Sequence, residues 1–216
     1  MPRRTLRKID TSLDYSRHLF TLEQLPEVWS QSAIFPSHPD SPLEVEVGSG
    51  KGHFIHASAQ TRSAQCFMGI EVAAKYAAYC AARLVRDGLD NAVMVSADAV
   101  LVFREKIPAE SLHAVHVYFP DPWWKKRHRK RRMMRMEFIR EVERCLELGG
   151  RLHFWTDVQE YYESALEMMA AESSLRGPFT PEVSEEVWRT HFEKRTMMEE
   201  RPVFRAFFVK GEQVNR

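Results

Sequence analysis

A chain of 216 residues with 44% hydrophobic and 28% charged side chains is long enough for one sizeable core and short for two, and this composition excludes wholesale disorder. A formal net charge of +1 excludes a uniformly basic or acidic protein. Every residue from Lys125 to Arg132 except His128 is nevertheless Lys or Arg, so positive charge is gathered in one internal block and the remainder of the chain is net acidic.

Residues 1–42 read as a lead-in, partly flexible, with a modest apolar patch (Leu19, Leu22, Leu25, Trp29) and a proline-rich link through Pro36, Pro39 and Pro42. Its basic start is not followed by an apolar run, and no stretch approaches membrane-spanning length, so neither a signal peptide nor an anchor is expected. The domain proper is expected over residues 43–216. Cys66, Cys80 and Cys145 lack CxxC or Cys/His ligand spacing, which indicates neither a disulfide framework nor a zinc site and suits a reducing cytoplasmic setting.

The domain opens on a short strand, Leu43, Val45 and Val47, that runs into Gly48-Ser49-Gly50-Lys51-Gly52, with a helix starting at His53. Glycines at alternate positions let the backbone turn tightly and let a ligand lie against it. A plain tight turn carries the same signature, and the Gly-Lys-Ser/Thr of a P-loop is missing. Residues 66–70 read as a second strand ending at Glu71. A helix over 73–87 follows, with Tyr76, Cys80 and Leu84 on one stripe and Gly88 past its end.

A third strand is expected over 91–95 with Asp98 beyond it, and a fourth over 112–119 with Asp121 beyond it. The spacing of Met134, Phe138, Val142 and Cys145 predicts an amphipathic helix over 133–148, stopped by Gly149-Gly150. A fifth strand over 151–155 leads to Asp157, then to a helix through Tyr161, Ala165 and Met168, and residues 203–209 read as a last strand at a sheet edge. Strands alternating with helices predict an α/β fold, a doubly wound and mostly parallel sheet covered on both faces.

In this reading Glu46, Glu71, Asp98, Asp121 and Asp157 each lie at or just past the carboxyl end of a strand, the edge where open α/β sheets bind ligands. Asp157 could instead be a helix cap. Such a rim would repel a pyrophosphate but suits S-adenosylmethionine, which brings a sulfonium, an ammonium and several hydrogen-bond donors. Beside it, Asp121 stands between two prolines and is followed by Trp123, Trp124 and the basic block, an acid next to a surface fit for a polyanion.

The segments VEVGSGKG, GIEV, SADAV, FPDPWWKKRHRKRR, LHFWTD and RTHFEKR, in this order, resemble the bacterial tRNA (guanine-N7)-methyltransferases over residues 43–209. The resemblance implies the Rossmann-like class I methyltransferase fold and transfer of a methyl group from S-adenosylmethionine to N7 of the guanine at position 46 in the tRNA variable loop. It implies donor contacts from Glu46, Gly48, Gly50, Gly52, Glu71, Asp98 and Asp121, with Asp121 also catalytic. Substrate contacts would come from Lys125, Asp157, Thr190, His191, Phe192 and Glu193, and RNA contacts from Arg127, His128, Arg129, Lys130, Arg131 and Arg132. No metal and no membrane is expected, the partner is tRNA, and both monomer and homodimer stay open.

The chain departs from the family at Trp155, where a small residue is common, and at Thr196 and Glu200, where glycines are. Two other readings compete. One is an amino-methylating enzyme, whose Asp-Pro-Pro-aromatic motif lacks its second proline here, and the other is a non-catalytic RNA-binding protein, which would not need the glycines or the strand-end acids. His113, His116 and His153 read as core or edge residues rather than ligands.

Overall fold

The computed structural model describes residues 12–182 and 201–211, together with 6, 9, 10, 196 and 199. In chain order its elements are β1 (Leu19–Thr21), α1 (Gln31–Ile34), β2 (Leu43–Val47), α2 (His53–Thr61), β3 (Cys66–Ile70), α3 (Ala74–Arg86), β4 (Ala92–Ser96) and α4 (Ala99–Glu105). Then come β5 (Leu112–Tyr118), a 3₁₀ turn (Lys126–Arg131), α5 (Met136–Cys145), β6 (Leu146–Thr156), α6 (Gln159–Glu172), β7 (Arg176–Phe179) and β8 (Phe204–Val209). The strands form one sheet in the order β1-β4-β3-β2-β5-β6-β8-β7. Pairing is parallel from β1 through β6 and antiparallel at β6–β8 and β8–β7.

Strand alternation divides the core between two faces. Val45, Val47, Val115, Val117, Leu152 and Phe154 point to the face covered by α4, α5 and α6, where Phe103, Phe138, Val142 and Tyr161 are buried. On the other face α2 and α3 supply Phe54, Ile55, Ala77, Cys80 and Leu84. There the central strands carry polar residues instead: Glu44 and Glu46 on β2, His116 and Tyr118 on β5.

β2 is the switch point. The chain steps from β2 to β3 and β4 on one side and returns to β5 and β6 on the other, which opens a crevice at the carboxyl ends of β2 and β5.

Several elements differ from the sequence reading. The lead-in supplies β1, which pairs with β4 through Leu19↔Met94 and Thr21↔Ser96, so part of it belongs to the sheet. The helix expected to run to Leu148 ends at Cys145, and the chain is extended from Leu146, because Leu146 is buried and pairs with Leu112. Gly149-Gly150 is therefore an irregularity inside a long strand and not a helix stop. Gly149 takes a φ of 80°, and a side chain on Gly150 would meet the Glu147 and Leu112 carbonyls at 2.8 and 3.0 Å. The last strand, expected at the sheet edge, is interior instead: β7, which the sequence reading did not place, pairs with β8 and forms the edge. Gly88 does close α3: its amide meets the Val85 carbonyl while the Leu89 amide meets that of Leu84, the Schellman pattern.

Candidate active site

The glycine turn forms one wall of the crevice. Gly48, Gly50 and Gly52 all hold positive φ, at 73°, 55° and 63°, a region that side chains disfavour. A Cβ on Gly48 would meet nothing within 4 Å and one on Gly50 only a backbone oxygen at 4.0 Å, so the turn leaves open space on that side. At Gly52 a Cβ would overlap the Sγ of Cys80, so this glycine is also what lets α2 and α3 pack.

Glu71 braces the turn, one carboxylate oxygen accepting from the Gly50 amide and the other from the Ala73 amide, both at 2.8 Å. It keeps lone pairs for a ligand, but shaping this wall is its visible work.

Glu46 and Glu44 lie on the same face of β2, both 3% exposed, and are treated in opposite ways. Burial would raise the Glu44 carboxyl, but His116 at 2.8 Å and Arg62 at 2.6 Å outweigh it and bring the group down to about 2. The other ring nitrogen of His116 lies 2.9 Å from the Tyr118 hydroxyl, and His153 stacks on the ring at 4.9 Å. Nearer the crevice, Oε2 of Glu46 is buried with no hydrogen-bond partner. Its carboxyl is pushed well above the ordinary range by burial first and by the Glu71 charge second. A buried carboxylate oxygen left open beside a glycine turn is a ready acceptor for a ligand bearing donors or positive charge, which is the chemistry of S-adenosylmethionine. The residues present fit that molecule.

Of the other rim acids, Asp98 is exposed and caps α4 by accepting from the Val100 amide at 2.8 Å. The cap anticipated at Asp157 is thus found at Asp98, while Asp157 pairs with Arg201 at 2.6 Å. The Arg201 amide in turn donates to the carbonyl of Thr196, which is buried. Thr190, His191, Phe192 and Glu193, expected to meet substrate, lie outside the described residues.

The opposite wall is the loop after β5. Asp121 is exposed at its tip, and Phe119 and Trp123 on either side hold φ values of 48° and 46°. Each such non-glycine position costs about 1–3 kcal/mol and persists only where its surroundings hold it. The Phe119 amide is held by the Trp155 carbonyl at 2.8 Å, and the Pro122 carbonyl accepts from Nε of Arg132 at 2.8 Å.

The basic block winds into the 3₁₀ turn, whose repeat of three lines its side chains into ridges. Arg129 and Arg132 share one ridge and both reach Glu160, at 3.1 and 2.6 Å. His128 and Arg131 share another and both pack on Trp123, at 5.8 and 5.0 Å between centres. Arg127 and Lys130 form the third and are exposed, as are Lys125 and Trp124.

Arg132, expected from the resemblance among the RNA contacts, is 7% exposed and sits over the Tyr161 ring at 4.5 Å. A charge string alone gave no sign of this, nor of the Asp157–Arg201 pair. The Glu44–His116–Tyr118 chain was legible only as polar residues at alternate positions of two strands.

Comparison with known proteins places the chain by family and by fold. Residues 40–206 match the family described as "Putative methyltransferase". A tRNA (guanine-N(7)-)-methyltransferase of Rhodopirellula baltica is 44% identical over 97% of this chain and 80% of its own length. A protein of the same name from Shigella boydii is 40% identical over 61% of this chain, a match that spans 55% of that relative. Among solved structures, an antibiotic-related methyltransferase superposes with a TM-score of 0.62 at 17% identity, over 84% of this chain and 95% of the other. The sheet and its helices are the class I methyltransferase fold.

Proposed function

The chain belongs to the tRNA (guanine-N7)-methyltransferase family, and from that premise we propose that it methylates N7 of the guanine at position 46 of tRNA, with S-adenosylmethionine as donor. The observation that carries the site assignment is the partnerless, buried Oε2 of Glu46 beside an open glycine turn, across the β2–β5 crevice from an exposed Asp121.

The donor supplies an electrophilic methyl group on a sulfonium. Guanine N7 already presents an in-plane lone pair, so the protein has no proton to remove from it. What the chain contributes is placement, and orientation of two reactants is worth roughly 7–11 kcal/mol. Glu46 and the bare backbone at Gly48 and Gly50 would hold the donor's polar groups. Asp121 would line the reacting centre and stabilise the positive charge that the purine gains. Asp157 would accept from the N1–H and amino edge of guanine once Arg201 gives it up, which leaves N7 free. Arg127, Lys130 and the outward faces of Arg129 and Arg131 would meet phosphates.

Methyl transfer from labelled S-adenosylmethionine to unmodified tRNA, followed by nucleoside analysis, tests the reading. Wild type is expected to yield 7-methylguanosine, and Asp121→Ala to lower the rate by about 10²–10³-fold. Methylation at another atom, or a rate indifferent to Asp121, would sink it.

A further inference from the structure

The buried end of the basic block has a different occupation from the rest. Arg132 is enclosed, and each part of its guanidinium is engaged within the chain. Nε donates to the Pro122 carbonyl at 2.8 Å, Nη2 to Glu160 at 2.6 Å, and Nη1 to Glu160 at 3.3 Å and to the Ser164 hydroxyl at 3.4 Å. Its flat face covers Tyr161, whose phenol is kept neutral by burial, pushed up to about 12. The Tyr161 hydroxyl accepts from the Met134 amide at 3.0 Å, which ties the chain just after Arg132 to the same helix.

We propose that Arg132 is the positioning residue of the catalytic loop: its fork clamps the carbonyl next to Asp121 to the first turn of α6, and it does not touch RNA. The loop it clamps is the one that needs holding. Two bulky residues that flank Asp121, Phe119 and Trp123, sit in the left-handed region, and relaxation of either would swing Asp121 away from the end of β5. The amide of Phe119 is fixed by β6, and on the far side of Asp121 Arg132 fixes Pro122. Glu160 is the external anchor. Its side chain is 46% exposed, and the Arg132 hydrogen bond, then the charges of Arg132 and Arg129, hold its carboxyl below the ordinary range. A phosphate arriving at the surface can take Arg129 from Glu160, since Arg129 is half exposed; Arg132, 8% exposed in its side chain, is out of reach.

Lysine at 132 keeps the positive charge but lacks the fork that reaches Pro122 and Glu160 together. This inference rests on Asp121 lying at the reacting centre, so Asp121→Ala is run alongside. The measurement is single-turnover methyl transfer at saturating donor and tRNA, expressed per donor-binding site, with tRNA affinity followed across salt. Arg132→Lys is expected to lower the rate on the order of 10–100-fold while tRNA affinity and its salt slope hold, and Glu160→Gln, at a half-exposed position that does not threaten folding, to lower it severalfold. Arg129→Ala should instead weaken tRNA binding and flatten the salt slope.

An unchanged rate per site in both Arg132→Lys and Glu160→Gln would overturn the proposal, and so would a loss confined to tRNA affinity and salt slope, which would make Arg132 a phosphate contact. A lower melting temperature with an unchanged rate per site would reduce it to a structural residue and equally overturn it. If Asp121→Ala is also silent, the reading of the site fails; if only Arg132 and Glu160 are silent, this inference fails alone.

Discussion

Across the crevice the two walls reach unusual backbone geometry by opposite means. On the β2–β3 side positive φ falls on Gly48, Gly50 and Gly52, residues that adopt it without strain, and the acids Glu46 and Glu71 face inward. On the β5 side it falls on Phe119 and Trp123, which resist it, and the surroundings are cationic and exposed. The first wall leaves its backbone bare, which in the proposed reading lets the donor lie against it. In the proposed reading the second keeps its large side chains to face tRNA; strained at Phe119 and Trp123, it is braced from outside, by the Trp155 carbonyl and by Arg132.

The sharpest way to break that contrast is to give the glycine wall a side chain. Gly52→Ala forces a Cβ into Cys80 Sγ and places a methyl-bearing residue at a φ of 63°. Overpacking and left-handed strain together predict a loss of about 3 kcal/mol of stability, with donor binding lost in step. Chemical denaturation with and without donor checks it. An unperturbed midpoint would mean that α2 and α3 can part without cost.

A smaller effect separates holding a ligand from holding the fold. Glu46→Gln is expected to weaken donor binding by about 30-fold, near 2 kcal/mol, while it stabilises the donor-free protein. Because burial raises the folded-state pKa of Glu46, its protonated form favours folding, and that contribution is full below the unfolded value near 4.5 and is lost as pH rises through the raised value. Donor-free wild type should therefore lose stability between mildly acidic and alkaline pH, and the glutamine variant should not. Glu44 runs the other way: its contribution is present above about 4.5 and is lost as pH falls toward about 2. Parallel melting curves for wild type and Glu46→Gln from pH 5 to 9 would disprove the assignment.

The glycine wall was the more legible of the two in the sequence. Alternate glycines after a short strand, with acids at strand ends, state their geometry locally, and β2, β3 and α3 stand within two residues of expectation. The other wall depends on partners far along the chain: Glu160 lies 28 residues from Arg132, and Trp155 lies 36 from Phe119. A run of Lys and Arg says how much charge there is but not which residue faces inward. The period of three that sorts them appears only once the segment is known to be a 3₁₀ turn. β1 and β7 were missed for a related reason, since strands of three and four residues take their pairing from neighbours and carry too few positions to show alternation.

That sorting makes the smallest and most discriminating prediction. If the block were an undifferentiated cationic face, any two of its charges would count equally toward tRNA. The ridges say otherwise. Arg129 shares Glu160, Arg131 lies on Trp123, and Arg132 is enclosed, whereas Arg127 and Lys130 stand exposed on the third ridge. The Arg127→Gln, Lys130→Gln double variant should make the dependence of log affinity on log salt shallower by roughly 1.4–1.8, the contribution of two released counterions, with affinity down about tenfold at moderate salt. Removing Arg131 should do less to the slope and more to Trp123, seen as a shift in tryptophan fluorescence, because its guanidinium lies on that ring. Equal slopes for the two experiments, normalised per charge, would mean that RNA reorganises the turn and that the ridges seen in the free protein do not persist in the complex.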